Sequence, residues 1–260
     1  MSLIPYLLLG SIAGTMAGLL GVGGGLVIVP SLIYMFSKQG ISPDVLTHMA
    51  IGTSLATIVF TSISSIRTHS RHQAVCWNLF ATLGIGIVVG AMAGAFVADL
   101  LQGRVLQILI GCFAILVSIQ MGLGLKPASS RDLPSSQAMI ISGSVVGGVS
   151  SVFGIGGGSL TVPLLVFFNV PIRQAVGTSA ACGLPIALAG AAGFLIMGLG
   201  EAELPPLATG YIYWPAFLGI TLASVIFAQV GASLAHKIPA DTLRKIFALV
   251  LFVVGIRFLF

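Results

Sequence analysis

An all-α integral membrane protein made of two inverted repeats is the fold class this sequence predicts, and three observations predict it. Of 260 residues, 57% are hydrophobic and 7% charged, against about 25% charged in a soluble domain; the mean hydropathy is +1.13. One apolar glycine phrase occurs twice, as Leu20-Gly21-Val22-Gly23-Gly24-Gly25 followed by Pro30, and as Phe153-Gly154-Ile155-Gly156-Gly157-Gly158 followed by Pro163. The basic residues, finally, divide unevenly between the two membrane faces when each phrase is read as the tip of a hairpin.

The first repeat covers residues 1–125. It opens on the apolar stretch Leu3–Leu20, which has no basic residues before it and no small-residue cleavage site after it, so it reads as retained membrane structure and not as a removed signal peptide. After the glycine break come a short apolar segment, Leu26–Phe36, and three longer ones, His48–Ile66, Val75–Ala98 and Val105–Leu123. Residues 126–136 form a polar linker rich in Pro and Ser. The second repeat, 137–260, gives Gln137–Phe153, the break, Ser159–Phe168, Gln174–Leu199, Tyr211–Ala235 and Thr242–Phe260 in the same order. Outside the phrases, Ile51-Gly52-Thr53-Ser54 matches Val176-Gly177-Thr178-Ser179, Trp77 and Phe80 match Trp214 and Phe217, and Gly94 matches Gly231.

A spanning helix needs about 20 apolar residues, and the segments after the two breaks are shorter. Each broken pair therefore bends one long crossing or turns a hairpin, giving eight to ten membrane segments. With bent crossings, Lys38, Arg104, Arg173, Lys237, Arg244 and Lys245 face Arg67, Arg71, Lys126, Arg131 and Arg257, which is no bias. With hairpins, Arg67, Arg71, Lys126, Arg131, Arg173, Lys237, Arg244 and Lys245 share one side, and Lys38, Arg104 and Arg257 the other. That split makes the first side cytoplasmic and puts both termini outside. Each repeat then makes an odd number of passes, so the two insert in opposite senses, a plan shared by many secondary transporters. The net charge of +5 is scattered through short loops and reflects this orientation; no nucleic-acid partner is expected.

Glycine breaks in apolar sequence leave backbone groups that lipid cannot satisfy, so they belong in protein or against a wet cavity. Gly23, Gly24 and Gly25, with Gly156, Gly157 and Gly158, let a ligand approach the backbone. Helices starting at Leu26 and Ser159 aim free N–H groups at the breaks, which suits a small anionic substrate, and Ser159 joins the six glycines as a candidate substrate-binding residue. Thr53, Ser54, Thr178 and Ser179 add hydroxyl donors without a buried charge. His48 and Arg173 each precede a Gly-Thr-Ser motif by four residues and are read as gating residues at the two mouths. Cys76, Cys112 and Cys182 have neither disulfide nor metal spacing, and the four histidines form no set, so no metal and no cofactor is expected. No catalytic residue stands out, and an enzyme is not expected. A channel built on half-helices and a membrane-enzyme subunit are the competing readings; the first lacks an Asn-Pro-Ala signature and the second lacks clustered catalytic side chains. The expected partners are a small anion and the lipid bilayer, and the sequence leaves homo-oligomerisation open.

The paired phrases ending at Pro30 and Pro163, with the paired Gly-Thr-Ser motifs, resemble the sulfite exporter TauE/SafE family, also called the TSUP family, over essentially the whole chain. That resemblance implies a multi-pass carrier in the bacterial inner membrane that handles sulfur-containing anions such as sulfite, sulfoacetate or other organosulfonates. The residues by themselves support only a small oxyanion. An inside-negative potential would drive such an anion outward, and no Walker phosphate loop is present.

Overall fold

The computed structural model describes residues 3–20, 24–123, 134–235 and 240–259. Most of the predicted linker, and Gly21 to Gly23 of the first phrase, lie outside the described residues. The first repeat forms α1 (Ile4–Leu20), α2 (Gly25–Lys38), α3 (Pro43–Arg71), α4 (Trp77–Asp99) and α5 (Gly103–Leu123). The second forms α6 (Ser136–Phe153), α7 (Gly158–Phe167), α8 (Ile172–Met197), α9 (Trp214–Ala235) and α10 (Ala240–Leu259). Between α8 and α9, β1 (Ala208–Thr209) and β2 (Ile212–Tyr213) pair antiparallel, with Ala208 opposite Tyr213. Among the described residues, α3, α4, α5, α6 and α8 are long and apolar enough to cross a membrane, and the protein is an all-α, multi-pass membrane protein.

Local chemistry sets the ends of these helices. Gly40 takes a positive φ of 75° after α2. Ser42 then caps α3, its Oγ accepting the Asp44 N–H at 3.4 Å, with Pro43 at the first helical position and Asp44 in the first turn. Two predicted spans start later than the hydropathy suggests. Tyr211 to Tyr213 belong to the β-turn and β2, so α9 begins at Trp214, and α4 correspondingly begins at Trp77. Each new helix opens on the same aromatic pair. Trp77 meets Phe80 edge-on at 5.6 Å, and Trp214 meets Phe217 edge-on at 5.3 Å.

The first broken pair is a hairpin: the Tyr6 hydroxyl at the start of α1 and the Gln39 side chain just past α2 are hydrogen-bonded at 2.7–3.0 Å. α2 has 14 residues and α7 has 10, about 21 Å and 15 Å, both short of the ~30 Å hydrocarbon layer. Pro30 and Pro163 occupy the sixth position of α2 and α7.

The major helix interfaces join one repeat to the other: α4 with α6, α1 with α9, α5 with α10, and α3 with α8. Glycine makes the first two possible. A Cβ on Gly86 would overlap the Ile140 carbonyl oxygen, one on Gly90 that of Ser144, and one on Gly94 that of Gly148. This ascending register shows that α4 and α6 run parallel with backbones in contact, the small-residue packing that membranes favour. Gly10 lies against Ile220 and Gly14 against Ser224, so α1 and α9 run parallel as well. The other two pairs run the opposite way. Gly52 faces Phe194, Gly190 faces Leu55 and Gly183 faces Ser62, while Ser118 donates to the Ala248 carbonyl at 2.7 Å and Gly111 faces Phe258. The repeat equates α3 with α8 and α5 with α10, so equivalent helices of the two halves are antiparallel. α3 and α8 are the most buried of the long helices and form the centre.

Candidate functional site

The two glycine phrases meet against this centre. A Cβ on Gly25 would overlap the Gly154 carbonyl oxygen and come within 2.8 Å of the Ile155 Cα. Gly24 is less confined, its nearest neighbours being the Ile28 Cδ1 at 3.2 Å and the Ala13 carbonyl oxygen at 3.3 Å. Gly154 ends α6 in the left-handed region, with φ of 66°, and Gly157 precedes α7 with φ of 75°. Gly156 lies with its Cβ position 3.3 Å from the Ile58 Cγ2. At the start of α7 the Leu160 and Thr161 N–H groups donate to the Gly157 carbonyl at 3.0 and 2.8 Å. The N–H groups of Gly158 and Ser159 have no carbonyl one turn earlier to donate to.

Around this helix start, the hydroxyl oxygens of Ser150, Ser151, Ser159 and Thr161 are buried without a hydrogen-bond partner. The Cβ position of Gly157 is 3.4 Å from the Thr161 Oγ1 and 3.6 Å from the Ser150 Oγ. A buried polar group without a partner costs about 1–3 kcal/mol, so packing alone does not account for Ser150, Ser159 and Thr161 about one helix start. The Ser150 and Thr161 hydroxyls flank Gly157 beside the N–H groups of Gly158 and Ser159, while the Ser151 Oγ lies 2.9 Å from the Cβ position of Gly190 on α8. Chemically, the arrangement suits a small ligand bearing several acceptor oxygens.

The Gly-Thr-Ser motifs are placed differently. Thr53 Oγ1 accepts the Tyr213 N–H at 3.0 Å, and Thr178 Oγ1 accepts the Cys76 N–H at 2.9 Å. Tyr213 and Cys76 each immediately precede a long helix, so both threonines satisfy an amide at a helix start. Gly52 and Gly177 let the same segments lie against α3 and α8, at Tyr211 and Ala74. Ser54 donates to the Gly154 carbonyl at 2.9 Å and so ties α3 to the second break. Ser179 Oγ is buried without a partner. From the antiparallel register of α3 and α8, Thr53 and Thr178 stand about 20 Å apart along the pair, so the two motifs do not converge on one point. Thr53→Val should strand the buried Tyr213 N–H at a cost of about 1–3 kcal/mol, and Thr178→Val the part-buried Cys76 N–H at the lower end of that range. The expected reading is a lower Tm in detergent with unchanged anion affinity; an affinity loss at constant Tm would return the threonines to the ligand.

His48 and Arg173 sit at opposite ends of α3. His48 is 3% exposed. Its Nε2 lies 3.0 Å from the Ala98 carbonyl oxygen and 3.1 Å from that of Leu101, and its Nδ1 lies 3.2 Å from that of Asp44. The ring stacks on Tyr211 at 5.1 Å. The Tyr211 hydroxyl donates to Asp99 Oδ1 at 3.1 Å and to Glu201 Oε1 at 3.5 Å. Burial, reinforced by these two carboxylates, pushes the Tyr211 phenol well above its ordinary pKa, so it remains a donor. His48 is thus a buried strut between α3 and the end of α4. Arg173 is exposed and donates from Nη2 to the His72 carbonyl at 3.2 Å, at the far end of α3. Among the described residues, no three His, Cys, Asp or Glu side chains gather as a metal site.

Residues 6–258 match the family model described as Sulfite exporter TauE/SafE. The chain belongs to the TauE/SafE family. It is 37% identical over 256 residues to a probable membrane transporter protein of Haemophilus influenzae, covering 96% of each chain. It is 30% identical over 280 residues to the probable membrane transporter protein YunE of Bacillus subtilis, covering all of this chain and 98% of that one. A probable membrane transporter protein of Methanocaldococcus jannaschii is 29% identical over 258 residues, covering 98% of this chain and 94% of its own. No solved structure matches the chain.

In this TauE/SafE protein, the hydroxyls of Ser150, Ser151 and Thr161 are what motif reading misses, while it names Ser159. Laying the two phrases over one another puts Ser150, Ser151, Ser159 and Thr161 on Ala17, Gly18, Leu26 and Ile28. The second break is hydroxyl-rich where the first is apolar. A position-by-position comparison of the two TauE/SafE repeats carries that signal, whereas a search for what the repeats share removes it.

Proposed function

We propose that this protein is a secondary carrier that exports a small sulfur-containing oxyanion, such as sulfite, sulfoacetate or another organosulfonate, by alternating access. Family membership supports a membrane transporter, and the substrate class follows the family resemblance. The observation that carries the site is the pair of buried, unpartnered hydroxyls, Ser150 and Thr161, that flank Gly157 at the N-terminus of α7. Gly156, Gly157, Gly158 and Ser159 would supply backbone and hydroxyl donors, with Ser150, Ser151 and Thr161 beside them and Gly24 and Gly25 closing over the other side. Neutral donors at a helix N-terminus hold an anion without the ~2.5 kcal/mol or more that a full charge costs at the bilayer centre. The antiparallel run of equivalent helices supports insertion of the two halves in opposite orientations, the geometry on which rocking carriers are built. With Arg173 on the cytoplasmic side, anions gather where export begins, and the membrane potential supplies about 2.3 kcal/mol per charge per 100 mV.

Purified protein in liposomes loaded with sulfite or sulfoacetate provides the test. Efflux should saturate with substrate and rise when the potential is made positive outside the vesicle. Efflux linear in concentration, or unitary currents in a planar bilayer, would replace the carrier with a channel.

A further inference from the structure

α3 has 29 residues, about 43 Å of helix, so it outruns the ~30 Å hydrocarbon layer. Its last turns therefore reach the headgroup zone, and there they carry Arg67 and Arg71, one turn apart on one face. Both arginines line a cavity of about 560 Å³ between α3 and α9. The lining is graded along the helix. On α3, Phe60 and Ile63 form an apolar lower end and Arg67, Thr68 and Arg71 a polar upper end, with Ser64 between them, and α9 adds Val225 and Gln229. Phe60 to Arg71 is about 17 Å of rise. Phe60 meets Phe217 of α9 edge-on at 5.6 Å at the bottom of the groove. Neither arginine has a hydrogen bond or ion pair among the described residues. This face of α3 is distinct from the one turned to the glycine breaks, which carries Ser54, Ile58 and Ser62.

We infer that this groove binds an anionic phospholipid, with the phosphate between Arg67 and Arg71 and the first acyl carbons against Phe60 and Ile63. Guanidinium groups pair with phosphate oxygens in bidentate fashion, and the Thr68 hydroxyl adds a donor. Basic pockets between transmembrane helices are a recurrent way of holding anionic headgroups. A free oxyanion has no use for the apolar lower end, whereas an amphiphile matches the whole gradient. The inference needs only a bilayer-resident chain and is independent of which solute the carrier moves. Because the helix that holds the lipid also lines the breaks, the occupied groove braces the wall of the substrate site.

The test is native mass spectrometry of the purified full chain in neutral detergent, with phosphatidylglycerol and phosphatidylcholine of identical acyl chains, and inorganic phosphate as a separate arm. The wild-type protein should retain phosphatidylglycerol in preference to phosphatidylcholine. Arg67→Gln and Arg71→Gln should each weaken that retention about fivefold, with phosphatidylcholine retention unchanged. Equal retention of the two lipids by the wild-type protein overturns the inference, and this arm does not depend on how the variants fold. So does an undiminished preference in a folded double variant. Displacement of phosphatidylglycerol by millimolar inorganic phosphate would make the groove a vestibule for soluble anions and would also overturn the lipid assignment.

Discussion

Gly90→Leu should leave no folded protein, while Gly84→Leu, less than two turns away on the same helix, should be silent. A Cβ at Gly90 would overlap the Ser144 carbonyl oxygen, whereas one at Gly84 meets nothing within 4 Å. The obstacle at Gly90 is backbone, which cannot rotate aside as a side chain can. α4 would have to back away from α6 along the whole row of Gly86, Gly90 and Gly94. Adding single methylenes to a packed core costs about 1–3 kcal/mol; four carbons driven into a backbone at that rate cost about 4–12 kcal/mol, as much as a typical total stability of about 5–15 kcal/mol. Size-exclusion profiles in detergent read the outcome directly. A normal monodisperse peak for Gly90→Leu would mean that α4 and α6 do not lie in backbone contact.

The second large effect concerns binding. Ser150→Ala combined with Thr161→Val should weaken anion affinity about 100-fold and leave Tm unchanged or raised. Both hydroxyls are buried and unpartnered, so removing them takes away a desolvation cost and breaks no internal bond. Hydrogen bonds to a charged ligand contribute about 1.5 kcal/mol or more each, and two of them account for the expected loss. Thermal-shift titration with sulfite separates the two quantities. A fall in Tm with affinity intact would make these hydroxyls part of the packing. The contrast with Thr53→Val, where Tm should fall and affinity hold, distinguishes residues that serve the fold from residues that serve the ligand.

That contrast also explains which features were legible in the sequence. The doubled phrase, the short segments after it, and the Trp77–Phe80 and Trp214–Phe217 pairs announced the repeat, and each has its structural counterpart. The uneven charge split favoured hairpins over bent crossings, and the Tyr6–Gln39 contact is a hairpin contact. The Gly-Thr-Ser motifs recur because both halves must seat the segment before α4 or α9 against a central helix. Recurrence therefore marked a folding requirement shared by the repeats. Ser159 is named from its place at the second break, but the Ser150, Ser151 and Thr161 hydroxyls escape notice because the first break lacks them. Gly24 and Gly25 cannot be ranked from the sequence either, since the difference between them is the Gly154 carbonyl, supplied from some 130 residues away. The β1–β2 turn hid inside an apolar stretch, where Tyr211 and Tyr213 read as the start of a span.

The crossed pairing of the helices also dictates an order of manufacture. When the ribosome has delivered α5 to the membrane, none of the major interfaces exists, because each needs a helix from the second half. The glycine row of α4 lies open until α6 is inserted, and Gly10 and Gly14 of α1 wait longer still, for α9. The nascent first half has only its lesser contacts, such as the α1–α2 hairpin and α2 against α3, and the molecule closes around its earliest helix nearly last. A product that stops at the linker is therefore not a smaller version of this protein. It carries surfaces made for partners never synthesised, which the cell's membrane quality control can recognise as unfinished.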